Sequence, residues 1–176
     1  MAYLIVIIFI VFLLVVLFLV YKFIWFAYAI FFWGAIYVPT TEKRVEQMLS
    51  FLDLDKAKRA VDLGAGDGRL VIALAKEGIE SCGFEINPFL VSLAQKNIKK
   101  AGLENKASVQ LKNLWNENLE DFDVVVLYGM RHMMKKLEEK MNNELKPGAV
   151  VVSNCFAFPN WICSKKMDGI YLYVKE

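Results

Sequence analysis

The chain has 176 residues, enough for one ordinary domain and a short appendage. Apolar residues make up 57% of it, yet all 19 acidic residues and every basic residue except Lys22 follow position 41, where the charges nearly cancel. That balance argues against a nucleic-acid surface, and three cysteines without a Cys-x-x-Cys spacing argue against a disulfide framework or a zinc site.

The first 38 residues form an apolar segment unlike the rest of the chain. Residues 2–21 are an unbroken apolar run, long enough for a helix to cross roughly 30 Å of hydrocarbon. The aromatic stretch 23–37 either lies in the membrane interface or continues the same helix. We therefore expect a membrane anchor over residues 1–38, with a single transmembrane helix over about 2–21, and a second domain over residues 39–176.

Basic residues on the C-terminal side of the apolar run indicate its orientation. Lys22, Lys43 and Arg44 follow the run, and neither a basic leader nor a small-residue cleavage site suggests a signal peptide. By the positive-inside tendency, we expect a single-pass membrane protein with its second domain on the cytoplasmic side.

The second domain alternates between helical and strand patterns. A threonine hydroxyl at 40–41 and apolar residues at helical spacing predict a first helix from Glu42 to about Leu54. The elements expected after it are strand 59–63, helix 70–76, strand 82–86, helix 88–100, strands 109–111 and 124–128, helix 133–145, and strands 149–153 and 169–174. Short linkers and continuous apolar strands predict an α/β fold, a mostly parallel Rossmann-like sheet with helices on both faces. The last strand, which no helix precedes, is expected to be antiparallel, at an edge or as an insertion.

The junction of the first strand and the helix after it reads VDLGAGDGRL over residues 61–70. Its glycines allow a tight turn and let a ligand approach the backbone, but a dinucleotide fingerprint would need the third glycine one residue beyond Gly68. Asp62 at the strand end suits a ligand ammonium and repels a pyrophosphate. S-adenosylmethionine carries an ammonium and a sulfonium and no phosphate, so the motif indicates this cofactor.

Two later positions fit the same ligand. Glu85 ends the second strand within GFEINP, where an acid accepts hydrogen bonds from both ribose hydroxyls. Residues 112–115, Lys-Asn-Leu-Trp, follow the third strand, where such folds surround an adenine ring. We therefore expect one cofactor site at the ends of three strands.

In these motifs the chain resembles the class I S-adenosylmethionine-dependent methyltransferases. More narrowly, it is similar to the small membrane-associated protein-lysine methyltransferases related to the mitochondrial enzymes that modify the ATP synthase c-subunit and the adenine nucleotide translocase. The resemblance covers nearly the whole chain: the apolar segment, VPT at 38–40, VDLGAGDGR at 61–69, GFEINPFLV at 83–91, NLW at 113–115, PGA at 147–149 and FPNW at 158–161.

This resemblance implies which residues line the cofactor pocket. The expected residues are Asp62, Gly64, Ala65, Gly66, Gly68, Glu85, Ile86, Asn113 and Leu114, with Pro39 and Thr40 closing over the ligand. The family commonly has an acid where this chain has Asn113, which can still hydrogen-bond an adenine edge. No metal and no nucleic-acid partner are expected.

The resemblance also implies that the acceptor is a lysine of a membrane or membrane-adjacent protein, close to which an anchor would hold the enzyme. The loop at 127–130 faces the methyl group in this fold and lacks an Asn-Pro-Pro-Tyr motif, so Tyr128 is the candidate acceptor-site residue. His132 is either a general base or a surface residue. Trp115 and Trp161 either wall the acceptor channel or pack in the core.

Two alternatives remain open at this point. The acceptor could be a lipid-soluble small molecule of the quinone or isoprenoid type, which would also explain an anchor. The chain could instead be a non-catalytic module that binds S-adenosylmethionine.

Overall fold

The computed structural model describes residues 2–33 and 37–176, which form two compact units that divide between Ile36 and Tyr37. The first unit holds helix α1, Ala2–Trp33, which continues from the apolar run into the aromatic stretch without a break. Within the described residues it is the one helix long and apolar enough to cross a membrane, over Tyr3–Trp25. The predicted anchor, residues 1–38, stays a prediction, and residues 1 and 34–36 of it lie outside the described residues.

The second unit is built on one seven-stranded sheet of order β3-β2-β1-β4-β5-β7-β6. Its strands are β1 Arg59–Leu63, β2 Glu80–Glu85, β3 Ala107–Leu111, β4 Val124–Leu127, β5 Val150–Asn154, β6 Lys165–Met167 and β7 Ile170–Val174. Strands β1 to β5 pair in parallel, and β7 is antiparallel to both of its neighbours. This arrangement confirms the predicted mostly parallel, Rossmann-like sheet.

Four helices accompany the sheet: α2 Glu42–Leu49, α3 Arg69–Lys76, α4 Pro88–Ala101 and α5 Met134–Glu144. The sequence accounts for the bounds of α4, because Asn87 caps its first turn by accepting from the Phe89 amide at 3.0 Å, and Pro88 is in the tolerated first position. Gly102, with a positive φ, ends the helix.

The hydrophobic core explains why the central strands read as continuous apolar runs. Val124 and Val126 of β4 pack with α2 and α3 residues such as Met48 and Leu74. Because side chains alternate along a strand, the equally buried Val125 and Leu127 line the opposite face of the sheet. A strand that is buried on both faces has no polar side, so its sequence is a continuous apolar run without alternation. This pattern is typical of a parallel sheet.

Two element predictions were wrong in detail. Helix α2 ends at Leu49, not near Leu54, because the chain then turns and places the Phe51 ring in the core. The Thr41 side chain makes no capping hydrogen bond; its carbonyl accepts from the next turn instead.

The C-terminal end of the sheet confirms one prediction and adds a strand. The predicted antiparallel strand is present as β7, inserted between β5 and the edge strand β6. Strand β6 was not predicted, because its three residues are all exposed and carry no apolar pattern.

Candidate active site

The carboxyl ends of the parallel strands bring the predicted site residues to one edge of the sheet. Asp62 of β1 pairs with Gly83 of β2, and Leu63 pairs with Leu127 of β4. Glu85 therefore ends β2 beside the loop that follows β1, and Tyr128 follows β4 at the same edge. Open α/β sheets bind ligands at this edge, next to the strand where the winding reverses.

The loop after β1 is shaped by three glycines with positive φ. Gly64, Gly66 and Gly68 have φ values of +88°, +56° and +81°, which other residues adopt only with strain. The Gly64 and Ala65 amides donate to the Phe84 carbonyl at 2.9 and 3.1 Å, which ties the loop to β2. A Cβ on Gly64 would meet nothing within 4 Å, so the backbone there faces open space.

Asp62 is a buried carboxyl group at the base of this loop, with only 3% of its surface exposed. Burial raises its pKa to about 8, and the nearby Glu85 and Asp67 carboxylates act in the same direction. No described lysine or arginine forms an ion pair with it. A cationic ligand group would therefore supply the positive charge beside Asp62 that the protein itself does not provide.

Glu85 is held in a defined orientation by two backbone amides. Its Oε2 accepts from Gly66 N at 2.9 Å, and its Oε1 accepts from Asn87 N at 2.8 Å. Each carboxylate oxygen keeps a lone pair after one such bond. The Glu85 side chain can therefore accept two further hydrogen bonds, which is what binding of two neighbouring hydroxyl groups on a ligand requires.

The segment 37–40 lies over the glycine loop. A Cβ on Gly66 would come within 2.7 Å of the Tyr37 ring, whose hydroxyl hydrogen-bonds with Asp67. Arg69 pairs with Asp67 at 2.6 and 2.9 Å and also donates to the Thr40 carbonyl. Thr40 is buried, so the segment is clamped to the loop from both of its ends.

Tyr37 and Arg69 are the site residues that sequence reasoning missed. The resemblance pointed to Pro39 and Thr40, whereas Tyr37 was grouped with the aromatic stretch of the anchor. The signal available for Tyr37 was its place directly before the Val-Pro-Thr entry. Pro39 and Tyr37 are both exposed, and the Tyr37 ring is the side chain of this segment that lies against Gly66.

The loop after β3 carries Asn113 and Leu114, both half-buried. The Lys112 amide donates to the Glu85 carbonyl at 3.0 Å, which holds the loop beside β2. Asn113 Oδ1 accepts from the Trp115 amide at 3.1 Å, so the side-chain oxygen shapes the loop and the amide NH2 remains as a donor. Ile86, also half-buried, follows directly on Glu85.

Tyr128 is half-buried on the other side of Asp62's strand, where β4 and β5 end. Its ring stacks on Phe156 at a centroid distance of 6.5 Å. A hydrogen bond with the Cys155 side chain and then burial raise the pKa of its phenol, while Arg44 opposes this rise. The hydroxyl is therefore protonated at neutral pH.

The remaining candidates differ in their surroundings. His132 is exposed in the loop after β4. Trp161 packs against Phe158 and Tyr173 at 5.6 and 5.3 Å, which favours the core-packing interpretation. Trp115 lies beneath the Lys136 ammonium at 4.3 Å.

A mostly parallel sheet with an inserted antiparallel β7, and an acidic, glycine-rich loop after β1, define a Rossmann-like methyltransferase. Residues 62–165 match the family described as the ANTKMT methyltransferase domain, and the chain belongs to this family.

Several curated relatives of the chain are named as lysine methyltransferases. The chain is 39% identical over 125 residues to the ATP synthase c-subunit lysine N-methyltransferase of Mus musculus, an alignment that covers 71% of this chain and 50% of that protein. It is 35% identical over 148 residues to a protein-lysine N-methyltransferase of Saccharolobus islandicus, covering 78% and 92%. The chain spans about half the length of the mouse relative.

Among solved structures, the chain is similar to an RNA methyltransferase from Salinibacter ruber in complex with S-adenosyl-L-homocysteine. The TM-score is 0.73, with 34% identity over 78% of this chain and 92% of that one. The chain is thus similar to proteins whose names give different acceptors.

Proposed function

We propose that this chain transfers a methyl group from S-adenosylmethionine to the ε-amino group of a lysine in a membrane or membrane-adjacent protein. One observation carries the proposal: the buried Asp62 carboxyl, with its raised pKa, lies at the base of an open glycine loop at the end of β1. The lysine methyltransferases among its relatives support the acceptor class.

The residues at the edge of the sheet fit this cofactor group by group. Asp62 would bind the α-ammonium, Glu85 the two ribose hydroxyls, and the loop at Asn113 and Leu114 the adenine ring. The backbone over Gly64–Gly68, which includes Ala65, would pass beside the ligand where side chains would obstruct it. When bound, S-adenosylmethionine supplies a methyl group that leaves its sulfonium sulfur as the acceptor nitrogen's lone pair forms the new carbon–nitrogen bond.

A lysine acceptor must first lose a proton. With a reference pKa near 10.4, this costs about 4–5 kcal/mol at neutral pH. The Tyr128 phenol is protonated there and cannot act as the base, but its oxygen can accept a hydrogen bond from the amine and orient it. We therefore assign Tyr128 a positioning role at the acceptor site and leave proton removal to the surroundings of the amine.

Membrane attachment through α1 is a second part of the proposal. The described side chains of Tyr3–Trp25 are apolar apart from Lys22 and are exposed, which suits a helix that spans a bilayer once. Basic residues after the span favour a cytoplasmic second domain. A tether raises the concentration of the enzyme near acceptors in the same membrane.

The test is to incubate detergent-solubilised protein with methyl-labelled S-adenosylmethionine and membranes from its source, then to separate protein, lipid and RNA. Label recovered as methyl-lysine from a discrete protein supports the proposal. Label in lipid would indicate a small-molecule acceptor, label in RNA would indicate the acceptor named for the Salinibacter structure, and either would overturn the lysine assignment. The Asp62→Ala variant should transfer no label; full activity would contradict the cofactor site.

A further inference from the structure

Arg44 is a half-buried cation at the acceptor side that neutral oxygens hold in place. Its Nε donates to Asn154 Oδ1 at 2.8 Å, and its Nη1 donates to the Asp168 carbonyl at 2.5 Å. No described carboxylate forms an ion pair with it. The guanidinium is thus fixed in direction while its charge is not neutralised.

This charge lies beside the proposed acceptor position. Asn154 is the last residue of β5 and is buried, and its Oδ1 also accepts from the Cys155 thiol at 3.5 Å. Tyr128 and Asn154 directly follow the paired residues Leu127 and Ser153, so they lie side by side where β4 and β5 end, and the Arg44 charge lowers the pKa of the Tyr128 hydroxyl. The contact with Asn154 therefore holds the guanidinium close to the phenol that would orient the amine.

We propose that Arg44 supplies a fixed positive charge that favours the neutral, reactive form of the acceptor amine beside Tyr128. This inference rests on the proposed function, since it needs a lysine amine at that position. A nearby like charge destabilises an ammonium group, and in a partly buried site the effect is about one pKa unit. The site would then need no general base, because the ammonium group beside Tyr128, with its pKa lowered, would release its proton to water.

The other charged groups around this position do not cancel the effect. Arg131 lies over the Phe156 ring at 5.7 Å and adds charge of the same sign. The Asp168 carboxylate, on the turn between β6 and β7, accepts from Gln47 Nε2 at 3.2 Å and forms no ion pair with Arg44, which is bonded to the Asp168 backbone carbonyl, so it offsets the guanidinium charge only in part. His132 in the loop after β4 is exposed, as are Glu42, Lys43 and Glu46 on α2.

The experiment compares pH profiles of the full-length protein and its variants. Arg44→Gln removes the charge and keeps a polar side chain, Arg44→Lys keeps the charge, and Lys43→Gln removes a neighbouring exposed charge as the matched control. The probe is methyl-labelled S-adenosylmethionine with solubilised source membranes, and methyl-lysine formed per minute is measured from about pH 7 to about pH 11, a range that spans the reference lysine pKa. Binding of S-adenosylhomocysteine and thermal melting are recorded for each variant.

We expect Arg44→Gln to move the rising limb of the profile upward by about one pH unit, a roughly tenfold loss near pH ~7.5 that closes only above the reference lysine pKa, near pH ~11. Arg44→Lys and Lys43→Gln should keep the wild-type midpoint. An Arg44→Gln profile lowered equally at every pH, or an Arg44→Lys midpoint shifted as far as that of Arg44→Gln, would overturn the inference. Absence of methyl-lysine from the wild type at every pH, with S-adenosylhomocysteine bound, would instead reject the proposed function.

Discussion

Asp62 illustrates how a binding residue can cost stability. The folded protein holds it in a buried position beside Glu85 and Asp67, which raises its pKa to about 8, far above the usual value for an aspartate. Between about pH 4 and about pH 8 the folded state therefore keeps a proton that the unfolded chain has released. The free energy of unfolding falls as the pH rises through this window, and a bound ammonium would restore what is lost.

The Asp62→Asn variant should separate stability from binding. Near pH ~8 we expect it to be more stable than the wild type by about 1–3 kcal/mol, because the amide carries no charge to bury, and the difference should vanish near pH ~4. S-adenosylhomocysteine should no longer bind measurably. Thermal melts across pH with a parallel binding titration test both points, and a variant less stable than the wild type at the upper end of this range would contradict them.

Tyr37 is the second residue whose role can be tested directly. Its ring covers Gly66 and its hydroxyl reaches Asp67, so Tyr37→Ala should weaken S-adenosylhomocysteine binding by about 1–2 kcal/mol through lost apolar contact. Tyr37→Phe keeps the ring and should retain most of the affinity. Val38→Ala, at an exposed neighbour, is the control. Equal affinities of the Tyr37→Ala variant and the wild type in a calorimetric titration would exclude a contact with the ligand.

At the scale of elements, the glycine loop keeps its shape because β2 packs directly against it. A Cβ on Gly83 would lie 2.5 Å from the Cβ of Ala65 and 3.0 Å from methyl groups of Val71 and Val109. The first strand, the loop and α3 can approach β2 this closely only because residue 83 has no side chain. The loop that forms the proposed pocket thus depends on the absence of a side chain behind it.

Gly83→Ala should therefore destabilise the protein by about 1–3 kcal/mol, because the added methyl group overpacks a filled region. Since Ala65 belongs to the loop, S-adenosylhomocysteine binding should weaken as well. Gln110→Ala, an exposed change on β3, provides the comparison. Urea unfolding measures the effect, and a Gly83→Ala midpoint equal to that of the wild type would mean that the loop can move aside at no cost.

At the scale of the whole molecule, the chain consists of two units with different surfaces. The described part of α1 exposes apolar side chains almost throughout, whereas the second unit has its own sheet and core. A unit with its own core is expected to fold without the helix. The site residues from Tyr37 onward all belong to the second unit.

Removal of residues 1–36 should therefore leave S-adenosylhomocysteine affinity unchanged within about twofold. Methylation of acceptors in intact membranes should fall at least about tenfold, because the tether no longer concentrates the enzyme there. The measurement is the labelling rate of the protein with and without residues 1–36, on intact membranes and on detergent-solubilised membranes. The solubilised membranes are the control, because a tether gives no advantage there. Equal rates on intact membranes with and without the helix would refute the role of the tether.

The sequence by itself determined the elements and the chemistry that local patterns encode. Apolar patterning located every strand of the sheet except β6, and one contiguous motif held Asp62 and its three glycines. Strand β6 was not predicted, because its exposed residues carry no apolar pattern. The early end of α2 was not predicted either, because the buried residues of the turn after Leu49 continue the apolar spacing of the helix. Glu85 could be paired with the motif because each ends a strand of a parallel sheet.

Only the tertiary structure decided which distant residues meet. Arg44 and Asn154 are 110 positions apart and are joined by a 2.8 Å hydrogen bond, and Tyr37 covers a glycine from another element. The raised pKa of Asp62 likewise depends on burial and on charges from a neighbouring strand. Such contacts form only when elements that are distant in the sequence pack together in the folded protein, so no local pattern of residues encodes them.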